Sequence, residues 1–203
     1  MIKNIVFDLG GVLIDWNPEY VFLKEFRGNR EKMNWFFDNI CTSAWNEEQD
    51  AGYSMEKATQ ERIALFPEHE RLIRMYYGEW KQMLGYEHTG TVEILKKLHD
   101  SPQYKIYALT NWSGETFPVA LQKFPFLSWF KGILVSGDEK LIKPDPKIYQ
   151  LLLKRYQLEA NHCVFIDDRA VNVDAAIALG FKGIQFVDHN QLHKELLKLN
   201  INI

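Results

Sequence analysis

Asp8 is the first side chain in the sequence placed to do chemistry. It follows the apolar run Ile5-Val6-Phe7 and precedes Leu9-Gly10-Gly11, so a carboxylate projects from a strand end while a glycine turn curls the backbone around a ligand. A second acidic signal, Asp167-Asp168, follows Cys163-Val164-Phe165-Ile166. Where two such strand ends are neighbours, three carboxylates converge. At ~4 Å and an effective dielectric of ~20, each pair repels by about 4 kcal/mol. A hard divalent cation relieves that repulsion, and oxygen ligands select Mg²⁺ over zinc. Two further groups suit an anion. Thr110 and Asn111 offer a hydroxyl and an amide after Lys105-Ile106-Tyr107-Ala108-Leu109. Lys143 lies in Lys143-Pro144-Asp145-Pro146, where two prolines stiffen the loop that holds an ammonium.

Together these groups answer the difficulty of attacking a phosphate dianion with an anion. The metal and the lysine offset charge, and the carboxylate attacks in line to form an aspartyl-phosphate. Positioning and electrostatics supply most of the remainder. Taken singly, each motif is an ordinary turn or a helix N-cap. Their occurrence in order, each after a strand signal, makes the pattern specific.

The elements that must position these residues are legible as well. Besides Ile5–Phe7, the runs 105–109, 132–135, 163–166 and 183–187 read as buried strands. Helical periodicity covers 91–99, 146–156 (with proline in its first turn) and 171–179, which stops at Gly180. Alternating strands and helices imply a parallel sheet covered on both faces, with ligands at the carboxyl ends of its strands. From Pro18 to about His88 the sequence shows helical periodicity rich in aromatics and no strand signal; those aromatics read as a small core of their own. The fold class is α/β: a Rossmann-like parallel sheet flanked by helices, built from 1–17 and 89–203, with a helical insert at 18–88.

Composition excludes several classes. A chain of 203 residues with 46% hydrophobic residues buries a core without disulfides, so Cys41 and Cys163 read as reduced thiols of a cytoplasmic protein. A formal net charge of −3 with no basic stripe argues against nucleic acid as partner. No window approaches the ~20 apolar residues of a membrane span, and the first residues carry no secretion signal. The six histidines show no zinc spacing. The expected partner is a small-molecule phosphate ester, and the expected state a monomer or weak homodimer.

At these residues the sequence resembles the haloacid dehalogenase superfamily over nearly its whole length. Phe7-Asp8-Leu9-Gly10-Gly11-Val12-Leu13, Leu109-Thr110-Asn111, Lys143-Pro144-Asp145-Pro146 and Phe165-Ile166-Asp167-Asp168 resemble its four motifs in order, and the insert resembles its helical type 1 cap. The branch holding bacterial sugar-phosphate phosphatases, α-glucose-1-phosphate phosphatase among them, is the nearest in pattern. The resemblance implies Asp8 as nucleophile and metal ligand and the Gly10 carbonyl as a further ligand. It implies Asp168 as the principal acidic ligand, with Asp167 assisting, and Thr110, Asn111 and Lys143 around the phosphoryl group. It also exposes a departure: phosphatases of this family usually carry a general acid–base Asp where this chain, like the sugar-phosphatase branch it resembles, has Gly10. Asp15, in the flap after the first motif, is a candidate substitute, although a solvated or capping role suits it too. The segment Trp45–Gly52 resembles the cap loop that dips toward the active site, which makes Asp50 a candidate substrate contact. Family members often carry a basic residue where Ala51 stands, so a strongly anionic distal group is disfavoured. Trp16 and Trp112 follow the first two motifs and are placed to stack on a sugar, or to pack in the core. Two other readings stay open: a metal-free 2-haloacid dehalogenase, which shares Thr110-Asn111-Trp112-Ser113 and the Lys143…Tyr149 pair, and a catalytically impaired ligand-binding protein on the same fold.

Overall fold

The computed structural model describes residues 1–202. In chain order, β1 (Asn4–Phe7) and β2 (Ile14–Trp16) lead into six helices: α1 (Glu19–Glu25), α2 (Arg30–Asn39), α3 (Ser43–Asp50), α4 (Met55–Leu65), α5 (Glu70–Gly78) and α6 (Trp80–Met83). β3 (Leu84–Glu87) and α7 (Thr89–Asp100) follow. Strands and helices then alternate through β4 (Lys105–Thr110), α8 (Phe117–Lys123), β5 (Gly132–Val135), α9 (Ser136–Glu139), α10 (Pro146–Tyr156), β6 (Cys163–Asp167), α11 (Ala170–Ala178), β7 (Lys182–Gln185) and α12 (His189–Lys198).

Five strands form one sheet in the order β5-β4-β1-β6-β7, and every neighbouring pair is parallel. β1 therefore lies between β4 and β6. Phe7 pairs with Ala108 on one side and Ile166 on the other, so Asp8, Thr110 and Asp167 emerge from the same edge. Alternate residues face opposite layers, as a pleated strand requires. Ile5, Phe7, Ile106, Ala108, Val164 and Ile166 belong to one apolar cluster, while Val6, Tyr107, Leu109, Cys163 and Phe165 belong to the other. A sheet covered on both faces explains why its strands read as continuous apolar runs.

Two expectations about strands need correction. Leu84–Glu87 lies inside the stretch expected to hold no strand, yet it pairs antiparallel with β2, Trp16 opposite Leu84 and Ile14 opposite Glu87. Only Leu84 of its four residues is buried, so β3 carries no periodic signal and depends on its partner. The run expected to reach Val187 ends at Gln185, with the Phe186 N–H making the last ladder bond to the Asp167 carbonyl and Val187 exposed beyond it.

Between β2 and β3 the helices are capped locally: Asn29, Thr42 and Ser54 accept from the N–H groups of Lys32, Trp45 and Lys57. Phe22, Phe36, Trp45 and Tyr76 form a separate cluster, with the Phe22 and Phe36 rings stacked at 5.5 Å. Not every aromatic joins it. Tyr20 and Trp35 are exposed, and Trp80 packs against Trp112 in the sheet-side cluster. Cys41 and Cys163 are free and buried, and burial pushes their thiols up to about 12 and about 11, the range of inert rather than reactive cysteines.

Candidate active site

Lys143 anchors the site. Its side chain is fully buried, with Nζ 2.6 Å from Asp167 Oδ2 and 3.0 Å from Asp8 Oδ1. Burial by itself would lower the Lys143 pKa; Asp8 and Asp167 outweigh it, so the ammonium is held above its ordinary value. The loop that delivers it is clamped by Asn111. The Asn111 amide donates to the Lys143 carbonyl at 3.0 Å, and its oxygen accepts from the Lys143 N–H at 2.9 Å. Asn111 thus clamps the Lys143 main chain through its oxygen and one of its two amide hydrogens, and it borders the cleft, so the expected phosphoryl contact remains open to the second hydrogen.

Asp167 is equally committed. It has no exposed surface, and it accepts from Lys143, from the Asn172 amide at 3.0 and 3.1 Å and from the Arg169 N–H at 2.9 Å. Asn172 is itself 1% exposed, and its carbonyl accepts from the Tyr149 hydroxyl at 2.8 Å. Asn172 and Tyr149 form a buried support for the acidic end of the site, and sequence reasoning missed Asn172. Its one signal is a polar residue inside the apolar face of an alanine-rich helix.

Asp8, Asp167 and Asp168 each offer a carboxylate oxygen within 4.8 Å of the other two. Burial first, and then Asp167, push Asp8 up to about 7 against the opposing pull of Lys143. Burial and Asp167 raise Asp168 also. Gly11 lies beneath Asp168 with φ +73°, and a Cβ there would stand 2.7 Å from Asp168 Oδ2. Space and backbone conformation both demand glycine at that position.

These groups form one end of a cleft. Asp8, Lys143, Asp168, Arg169 and Asn172 line that end, and Trp80 and Trp112 line the other; Gly10, Trp16, Asn46, Asp50 and Asn111 border both. The α3 helix supplies the facing wall. Asp50, its last residue, accepts from the Asn46 amide at 3.0 Å, and burial pushes its carboxyl up to about 7 although the Ser113 N–H lowers it. Glu47 reaches over the acidic end to Arg169 at 2.9 Å. The wall is seated by the Ser136 hydroxyl, which donates to the Asp50 carbonyl, and by Gly52 (φ +91°), where a Cβ would lie 2.6 Å from the Gly137 carbonyl.

The other expected residues differ among themselves in placement. Thr110 ends β4 at the same sheet edge as Asp8 and is 1% exposed. Trp112 borders the cleft and is 6% exposed, packed edge-to-face with Trp80 and Phe117 and with its indole N–H donated to Thr116, the core-packing alternative. Asp15 is bound by the Tyr20 hydroxyl and packed on Gly85 in the β2–β3 flap, away from the cleft. Trp16 borders the cleft, and its indole N–H is buried without a partner.

Among the described residues no helix is long and apolar enough to cross a membrane. The model of the haloacid dehalogenase-like hydrolases matches residues 2–180. Flavin mononucleotide hydrolase 1 of Arabidopsis thaliana is 31% identical over 121 residues, which are 59% of this chain and 48% of that protein, so the chain spans about half its length. A sesquiterpene phosphatase of Aspergillus oryzae is 26% identical over 201 residues, 97% of this chain and 96% of that one. Among solved structures, a haloacid dehalogenase family enzyme of Bacteroides thetaiotaomicron, in complex with magnesium and inorganic phosphate, matches with a TM-score of 0.69 at 20% identity. The match covers 93% of this chain and 96% of that chain, and it is a likeness of fold.

Proposed function

The chain belongs to the haloacid dehalogenase-like hydrolase family, and on that premise we propose that it hydrolyses a small phosphate monoester, with Mg²⁺, through an aspartyl-phosphate on Asp8. The observation that carries this reading is the placement of Lys143, a fully buried ammonium between Asp8 and Asp167 at the end of an open cleft. A nucleophilic carboxylate beside a fixed cation suits attack on an anionic phosphoryl group.

The donor set fits the metal. Three carboxylates and one ammonium leave a formal charge of −2, and all the ligand atoms are oxygens, the preference of a hard divalent cation. Asp8, Asp168 and the Gly10 carbonyl would hold it, and Asp167 would act chiefly by fixing Lys143. When bound, the ion supplies charge neutralisation for the phosphoryl oxygens. The remaining work belongs to side chains. Asp8 attacks phosphorus, Lys143 offsets the charge of the transferred group, Asn111 holds the Lys143 main chain, and Asn172 holds Asp167, which fixes the ammonium.

A sugar phosphate is the substrate class the cleft suits. Trp16 and Trp80 present apolar surface, and Asn46 and Asn111 border the same space with polar groups, a combination that matches a ring with hydroxyls on its edges. Full-length similarity to a phosphatase supports ester hydrolysis. The α-glucose-1-phosphate phosphatase branch is the specific form of this proposal.

The test is phosphate release from a panel of esters with Mg²⁺ and with EDTA, beside Asp8→Asn. Expected is metal-dependent release that falls on the order of 10⁴–10⁶-fold in the variant. Release that survives EDTA, or an Asp8→Asn variant as active as the parent, defeats the reading. Chloride release from a 2-haloacid without metal would put the dehalogenase in its place.

A further inference from the structure

The phosphatase reading leaves a proton unassigned. When the bond between phosphorus and the ester oxygen breaks, an alkoxide departs and needs a proton. Four carboxyl groups border the acidic end of the cleft. Asp8 is the nucleophile in that reading, Asp168 belongs to the acidic cluster, and Glu47 is held by Arg169. Asp50 is the fourth, and among the described residues it has no ion-pair partner.

Its position suits the task. Asp50 borders the cleft together with Gly10, two residues after the nucleophile, where a Cβ would meet nothing within 4 Å, so the cleft has room for an ester group between them. Asn46 fixes one carboxyl oxygen at 3.0 Å. The carboxyl closes the C-terminal turn of α3, where the helix dipole disfavours negative charge. Among the groups that face it, Glu47 reinforces this and the Ser113 N–H opposes it. Glu47 lies on its own helix, and Tyr76 and Tyr77 on α5. From α9, Ser136 holds its carbonyl, Asp138 is turned to Gly114 and Glu139 is paired with Arg155. Lys143, across the cleft, is engaged by Asp8 and Asp167. With its carboxyl near 7, both forms of Asp50 are populated at neutral pH.

Resting on the phosphatase reading, we propose that Asp50 is the acid–base group of this enzyme. Its carboxyl gives a proton to the ester oxygen as that oxygen's bond to phosphorus breaks and an Asp8 oxygen bonds phosphorus. Its carboxylate then takes a proton from the water that attacks the aspartyl-phosphate, which frees Asp8, releases phosphate and restores the acid.

The test compares two substrates of the Mg²⁺ enzyme: the best alkyl ester of the panel, and p-nitrophenyl phosphate, whose phenolate leaves without a proton. Asp50→Asn is expected to lower kcat on the alkyl ester by about 10²–10⁴-fold. On p-nitrophenyl phosphate the variant should release one nitrophenolate per active site at the parent's rate and then stall. Independently of any variant, the parent's kcat on the alkyl ester should decline above about pH 7, while the first turnover of the aryl ester should not. Equal loss in both first turnovers, no loss in either, or a shared pH decline overturns the assignment. An inactive parent overturns the phosphatase reading itself, and this inference with it.

Discussion

At the floor of the cleft the Lys143 side chain, with no exposed surface, sits between two carboxylates, while on the facing wall Glu47 is about half exposed where it reaches Arg169 of the floor and Asp50 has no cation beside it among the described residues. The floor comes from three adjacent strand ends and the clamped Lys143 loop, and both carboxylate oxygens of Asp167 are engaged. The wall is one helix, seated by a serine hydroxyl and a close glycine contact. Buried, paired charges give a fixed geometry because breaking any pair strands its partner. Half-exposed groups on a single helix can exchange partners with a ligand at small cost. In the proposed reaction the difference assigns attack on phosphorus to the floor and the choice of substrate to the wall.

Removing the ammonium is the severest way to break the comparison. Lys143→Met leaves Asp8 and Asp167 buried without a cation, and the expected loss is about 3–5 kcal/mol of stability by urea denaturation in EDTA, with activity lost as well. The sign of its pH dependence follows from linkage. Asp8 is already held at about 7, above its ordinary 3.8. Without Lys143 it rises further, so the folded variant binds more protons than the unfolded chain. The loss is therefore largest above neutrality and shrinks as pH falls toward the unfolded value. A loss independent of pH would mean that the floor is not built on this ion pair.

A smaller effect is expected one layer further out. Asn172→Ala removes the amide that donates to both oxygens of Asp167 but keeps Lys143 and the Arg169 N–H in place. The expected cost is about 1–3 kcal/mol of stability, with the Mg²⁺ concentration for half-maximal activity raised about 10–100-fold. An unchanged Mg²⁺ requirement would show that the floor stands without this support, and would weaken the contrast with the wall.

The same contrast governs what the sequence discloses. Strands β1, β4, β5 and β6 are apolar runs ending in polar residues, because both faces of the sheet are covered; hence Asp8, Lys143 and the Asp167-Asp168 pair are recognisable from order and type alone. The β2–β3 flap is not, since it is held by pairing across some seventy residues rather than by its own composition. Asn172 hides within a helix, and the commitment of the Asn111 amide to the Lys143 main chain is a tertiary fact that residue type cannot reveal. On the wall, Asp50 carries no motif of its own. Its chemistry comes from burial and from the helix end, both set by how α3 docks on the sheet.

The mildest intervention tests the ion pair that joins the wall to the floor. Arg169 and Glu47 keep 50% and 45% of their side-chain surface exposed, so their 2.9 Å contact is screened by water and salt. Arg169→Ala should cost less than about 1 kcal/mol in urea denaturation. Its effect should fall on substrate: both residues border the acidic end of the cleft, and Arg169 is the one exposed cation there. The expected result is a higher KM with kcat little changed, and a parent enzyme whose KM moves toward the variant's as salt is added. A stability loss comparable to that of Lys143→Met would show that the wall is fixed as firmly as the floor. A kcat effect without a KM effect would place Arg169 with the groups that act on phosphorus, and the division between floor and wall would have to be redrawn around it.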